Sequence, residues 1–147
     1  MKLSTRSRYG LRLMFELALG YGTRAVQLQD IAKKQDLSEK YLGKLVFKLK
    51  KVNLIDSIRG AHGGYTLKRE PDKITVLDIV TALEGDLSIV DCTSKSVECN
   101  RARTCPSRNI WCGLSKVIND YLSGITLQDL AERYSSDAEL SEDMYFI

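Results

Sequence analysis

The sequence predicts a mainly α fold with a small β-hairpin wing: a winged helix-turn-helix followed by a long C-terminal dimerisation helix. Three observations carry this. Between Gln27 and Leu67, two short helical periodicities, broken at Asp36-Leu37-Ser38, are followed by two short extended runs around a glycine-rich tip. Positive charge gathers in that half: residues 1–69 hold 15 Lys and Arg against 5 Asp and Glu, and residues 70–147 hold 7 against 14. Far downstream, Ile110, Leu114, Val117 and Tyr121 step by four, three and four, a narrow seam that calls for a partner helix. The chain divides into a head over 1–85, a cysteine-rich loop over 86–105 and a helix with its tail over 106–147.

The first helix is expected over about Thr5–Gly22, with Leu11, Met14, Phe15, Ala18 and Leu19 on its buried face and Gly20 and Gly22 ending it. Ser4, Thr5, Arg8 and Tyr9 lie near its start, where helix N-termini and hydroxyl or guanidinium donors suit phosphate. The alternative is plain amphipathicity. The second helix covers Leu28–Gln35 and the third Ser38–Val52, with Ser38 as N-cap. Leu42, Leu45, Val46 and Leu49 face inward; Glu39, Lys40, Gly43 and Lys44 face out. The second helix of such a motif enters the major groove by its N-terminal part. Lys40 and Lys44 then reach base edges or phosphates, beside Glu39, with Ser38 and Tyr41 as phosphate donors.

The extended run Leu54–Ile58 turns through Arg59-Gly60-Ala61-His62-Gly63-Gly64-Tyr65 and returns as Tyr65-Thr66-Leu67. Arg59 suits a narrow, electronegative minor groove, and Gly63 and Gly64 permit close backbone approach to DNA at Tyr65. His62, the single histidine, is a DNA contact or a surface residue rather than a metal ligand. Thr75-Val76-Leu77-Asp78 is a capping box opening a helix through Leu83 that Gly85 stops. Its face of Val76, Ile79, Val80 and Leu83 packs on the head. Pro106 suits the first turn of the long helix, running to about Leu122. Thr126-Leu127-Gln128-Asp129 opens a short helix ending near Tyr134, and the acidic tail stays loose until Met144-Tyr145-Phe146-Ile147, which could dock on a neighbour.

No apolar run reaches membrane-spanning length. Arg6, Arg8, Arg12 and Glu16 interrupt the N-terminal apolar stretch, so it does not read as a signal peptide; a cytoplasmic protein is expected. With one histidine and no placed acid–base pair, the chain shows no catalytic constellation. All four cysteines lie between positions 92 and 112: Cys92, Cys99, Cys105 and Cys112. Zinc sites favour ligand pairs two to four residues apart, and none is present. The longer gaps suit an iron–sulfur cluster, with zinc or free redox thiols as alternatives. Cys112 is a candidate fourth ligand if Cys105 sits at a frayed helix start; Asp91, Glu98 or water are others.

The chain resembles the family of bacterial winged-helix transcription regulators of the IscR, NsrR and CymR type. The resemblance rests on Met1-Lys2-Leu3-Ser4-Thr5, Arg8-Tyr9-Gly10, Leu37-Ser38, Tyr41-Leu42, Ile58-Arg59-Gly60, Gly63-Gly64-Tyr65, Asp78-Ile79, Leu83-Glu84-Gly85, the three-cysteine loop, Trp111 and Ile125-Thr126-Leu127 through Asp129-Leu130. It implies a homodimer with crossed long helices that binds a palindromic operator in double-stranded DNA, as a repressor. It implies Cys92, Cys99 and Cys105 as ligands of a cluster, two-iron (2Fe-2S) in preference to four-iron, whose state changes DNA binding in response to iron–sulfur, redox or nitric oxide status. Arg108 stands where the iron–sulfur branch carries a histidine ligand, and Gly43 where that branch carries an acid. The start, wing and ending resemble most the cysteine-metabolism branch, which lacks the cysteine loop. The alternative is therefore a cluster-free repressor controlled by a regulatory protein partner or by thiol oxidation.

Overall fold

The computed structural model describes residues 3–94 and 97–144, with 137–144 by backbone alone. Among the described residues, six helices and a two-stranded antiparallel hairpin run in the order α1 (Thr5–Leu19), α2 (Leu28–Gln35), α3 (Glu39–Lys51), β1 (Ile55–Ile58), β2 (Gly64–Leu67), α4 (Val76–Glu84), α5 (Arg108–Ser123) and α6 (Leu127–Met144). Short 3-10 turns at Pro71–Lys73 and Asp91–Thr93 lead into α4 and the cysteine loop.

Helix α1 starts at Ser4, whose hydroxyl accepts the Arg6 N–H at 3.1 Å, and ends at Gly20. Its buried residues are Ser7, Gly10, Leu13, Met14, Glu16 and Leu17. The expected face is thus corrected. Leu11, Phe15 and Ala18 are only partly buried, and Leu19 is exposed. The cause is tertiary. Helix α4 lies so close that a Cβ at Gly10 would run into Leu83. The polar Ser7 and Glu16 are buried because partners on other elements satisfy them.

Helices α2 and α3 flank a three-residue turn in which Asp36 takes a left-handed conformation (φ 51°) and Ser38 caps α3 by accepting the Tyr41 N–H at 3.4 Å. The inward residues Leu42, Leu45, Val46 and Leu49 are buried as expected. In the hairpin, Ile55 stands opposite Leu67 and Ile58 opposite Gly64. Ile55 and Leu67 are buried at its root, while Ile58 is half-exposed toward the tip. The root is fastened to the α1–α2 linker by the reciprocal pair Val26 N to Tyr65 O (2.9 Å) and Tyr65 N to Val26 O (2.8 Å). Helix α4 opens on the expected capping box, Thr75 with Asp78, and stops at Gly85 (φ 89°).

Two later elements depart from expectation. Helix α5 begins at Arg108 with Ser107 as N-cap, because residues 101–105 are still in a turn closed by Cys105 N–H to Arg101 O at 2.9 Å; Pro106 precedes the helix rather than opening it. Helix α6 continues well past Tyr134. Its Ser135 and Ser136 hydroxyls bond back to the Ala131 and Glu132 carbonyls at 3.1 and 3.0 Å, so they ride on the helix instead of breaking it. Of Met144-Tyr145-Phe146-Ile147, expected to dock on a neighbour, Tyr145 to Ile147 lie outside the described residues, as does the side chain of Met144.

The segment after α5 returns to the head. Val76 N–H donates to Ile125 O (2.8 Å) and Leu127 N–H to Ile74 O (3.0 Å). Leu127 is fully buried in the cluster that holds Leu13, Leu17, Leu42, Leu49, Ile74 and Ile79. Burying such a leucine stabilises the fold by about 1.5–3 kcal/mol, so the start of α6 is part of the head's core. By contrast, α5 buries none of its residues in this chain.

Candidate nucleic-acid interface and thiol loop

The starts of α1 and α3 meet. Tyr9 and Tyr41 stack edge to face, with ring centroids 5.9 Å apart at 89°. The Tyr41 hydroxyl lies 3.4 Å from Thr5 Oγ1. The guanidinium groups of Arg8 and Arg12 lie 5.8 and 5.7 Å from the Tyr9 ring centre, within cation–π range. Thr5, Arg8, Tyr9, Ser38 and Tyr41, expected to touch phosphate, thus form one surface around two helix N-termini. Ser4 sits at its edge but is engaged within the chain: its N–H donates to Glu84 Oε1 at 3.1 Å, and its hydroxyl donates to the same oxygen.

Glu39, Lys40 and Lys44 are exposed on α3 and directed away from its buried face. Arg59 and His62 are exposed at the wing tip. Gly64 has φ +155°, and a Cβ there would stand 2.6 Å from the Val26 carbonyl oxygen; a Cβ on Gly63 would strike the Ile58 carbonyl. Both glycines are therefore demanded by the wing's own packing, and Tyr65 beside them is held by its bridge to Val26. Arg12 is exposed but engaged within the chain: its Nε donates to Gln35 Oε1 at 2.7 Å, while Gln35 and Lys34 (Nζ 2.8 Å) donate to the buried Glu16. This network fixes α2 on α1.

In the cysteine loop, Cys92, Cys99 and Cys105 are half-buried, Cys112 is exposed on α5, and none of the four is in a disulfide. The Ser107 hydroxyl, 3.4 Å from Cys105 Sγ, and its N–H hold the Cys105 thiol below the usual range, with Arg108 adding to the effect. Arg108 also donates to the Cys92 carbonyl at 2.5 Å, tying the first cysteine's peptide to the first turn of α5, three residues beyond Cys105. That clamp carries no mark in the sequence beyond an arginine near a helix start. The donor set, three reduced thiols on one loop, suits iron or an iron–sulfur cluster by its chemistry. Among the described residues, no three Cys, His, Asp or Glu side chains converge where a metal could be held.

The family model described as "Rrf2: Iron-dependent Transcriptional regulator" matches residues 3–133. The chain belongs to the Rrf2 family. It is 40% identical over 147 residues to the HTH-type transcriptional regulator CymR of Bacillus subtilis (strain 168), covering 100% of both chains. The solved structure of CymR, described as the global cysteine regulator of B. subtilis, superposes with a TM-score of 0.77 at 41% identity, over 90% of this chain and 98% of that one. The structure of T. potens IscR gives a TM-score of 0.76 at 38% identity, over 91% and 88%. The Rrf2 winged-helix fold is thus the fold of this chain, and its function is transcriptional regulation through DNA rather than catalysis. Among the described residues, no helix is long and apolar enough to cross a membrane.

Proposed function

We propose that this Rrf2-family regulator works as a homodimeric, cytoplasmic repressor on a palindromic operator, and that the thiol loop sets its affinity for that operator. The observation that carries the reading is the joined surface of the α1 and α3 starts, where Thr5, Arg8, Tyr9 and Tyr41 flank the exposed Lys40 and Lys44. Phosphate donors on two helix N-termini position the head, and the α3 side chains read base edges. The wing adds Arg59 and His62 from a tip whose root is fixed. Ser4, bound to Glu84, contributes by holding the start of α1 in place.

Self-association is supported by the bare seam of α5, where Ile110, Leu114, Val117 and Tyr121 are 64, 44, 63 and 68% exposed. A second copy of the same helix is the economical cover for such a stripe. Cys92, Cys99 and Cys105 are the ligands of an iron–sulfur cluster, two-iron in preference to four-iron, with Cys112 the further thiol available. The family description supports iron, and the lowered Cys105 thiol supports ligation as thiolate. When bound, the cluster supplies a centre that oxidants and nitric oxide can alter. The loop's own residues supply the coupling: Arg108 joins Cys92 to α5.

Protein purified without oxygen is expected to be brown, with visible absorption that disappears in Cys92→Ala. A second reading, control by thiol oxidation or a protein partner without a cluster, is supported by full-length similarity to the cysteine regulator. Colourless protein from iron-replete cells, still binding DNA and responding to oxidants through its thiols, would select that reading.

A further inference from the structure

On α3, one exposed side chain is out of place among its neighbours. Phe47 is 73% exposed, the most exposed of the described large apolar residues. A helix turns 100° per residue, so Lys40, Lys44, Phe47 and Lys51 fall on one stripe, diametrically opposite the buried Leu42, Leu45, Val46 and Leu49. Phe47 sits on that stripe in a shallow depression lined also by Lys40, Gly43, Lys44, Lys48 and Lys51. Nothing lies within 4 Å of a Cβ placed on Gly43, one turn before Phe47, so the approach to the ring is open. An aromatic ring exposed to water beside four lysines suits a partner that satisfies both features. It is a polyanion presenting apolar groups between its phosphates, and the thymine C5-methyl in the major groove is such a group.

We propose that Phe47 is a specificity-determining residue: its ring contacts a thymine methyl in the major groove, one to two helical turns along α3 from the base edges that Lys40 and Lys44 reach. The inference rests on the DNA-binding reading above and deepens it. Lysine ammonium groups read acceptors rather than a methyl group, and Gly43 offers no side chain to read with. Phe47 is therefore the side chain on this face best able to tell a thymine from a cytosine by shape.

The test uses the full-length protein and duplexes selected by it from a randomised pool. Each thymine of the selected site is replaced in turn by deoxyuridine, which deletes only the methyl group. Wild type should lose affinity by about four-fold for replacement of either thymine of one symmetry-related pair, the worth of about one buried methyl. Phe47→Ala should bind the uracil and thymine duplexes equally, with the salt dependence of wild type, since no phosphate contact is removed. The high exposure of Phe47 leaves folding intact, which a thermal melt checks. Persistence of the methyl preference in Phe47→Ala, or its absence throughout the wild-type site, overturns the proposal while leaving the DNA-binding reading in place. Selection of no preferred duplex by wild type overturns both.

Discussion

Ser4 and Glu84 stand eighty residues apart in sequence and share two hydrogen bonds, from the Ser4 N–H at 3.1 Å and from its hydroxyl. The Ser7 hydroxyl adds a third at 2.6 Å. The last turn of α4 thereby satisfies the first turn of α1, next to the surface assigned to DNA. Burial pushes the Glu84 carboxyl up, but the bonds from Ser4 and Ser7 outweigh it and hold the group below its ordinary 4.5. A group lowered on folding contributes stability that is present above its unfolded value and lost as pH falls through its folded value. Glu84→Gln should therefore cost about 1–2 kcal/mol at pH 7, as expected for hydrogen bonds to a charged acceptor. In urea melts the gap to wild type should narrow as pH drops below 4.5. A gap independent of pH would contradict this account of the contact.

The buried Glu16 depends on Lys34 and Gln35. Breaking a buried pair costs 3–5 kcal/mol when both partners are enclosed. Here Lys34 is half in water, at 53% exposure against 7% for Glu16, so Lys34→Met should cost about 2 kcal/mol. The urea midpoint should fall with an unchanged denaturant slope, and Glu16→Gln combined with Lys34→Met should recover part of the loss.

Two glycines should respond in opposite directions to alanine. Gly64→Ala meets the Val26 carbonyl oxygen at 2.6 Å with φ at +155°, and should destabilise by about 2 kcal/mol and loosen the wing root. Gly43→Ala, in open space inside a helix, should stabilise by about 1 kcal/mol. Thermal melts of the two variants give the signs directly.

Much of the head is legible in the sequence. The Ser38 cap, the inward face of α3 and the Thr75–Asp78 box depend on neighbours a few residues away, and local periodicity reports them. The face of α1 does not, because it is built around Ser7, Gly10 and Glu16, residues that are buried only when Glu84, Leu83 and Lys34 arrive from elsewhere. The burial of Leu127 is likewise tertiary: its segment pairs with Ile74 and Val76, some fifty residues earlier. In the candidate site, residue type marked Lys40, Lys44 and Arg59, but only the fold shows that Tyr41 leans on Tyr9 and that Ser4 belongs to Glu84.

Lys44→Ala and Arg59→Ala separate the roles in the interface. Loss of a phosphate contact should flatten the salt dependence of binding by about one unit of slope, and loss of a base contact should erode sequence discrimination by about 1–3 kcal/mol. Anisotropy titrations at several salt concentrations, on selected and scrambled duplexes, read both.

Val117→Asp places a charge in the bare α5 seam twice over in a symmetric pair, and should weaken self-association on the order of tenfold or more. Sedimentation velocity across a concentration series would show the shift toward single chains, with unchanged helical content.

The most direct measurement is the affinity of the full-length protein for a duplex selected from promoter DNA, compared between samples reconstituted with iron and sulfide and samples stripped by chelator. The account predicts two chains per duplex, steep salt dependence, and an affinity that changes on stripping in wild type but not in Cys92→Ala. A single-chain protein that favours no duplex, loaded or stripped, would contradict it.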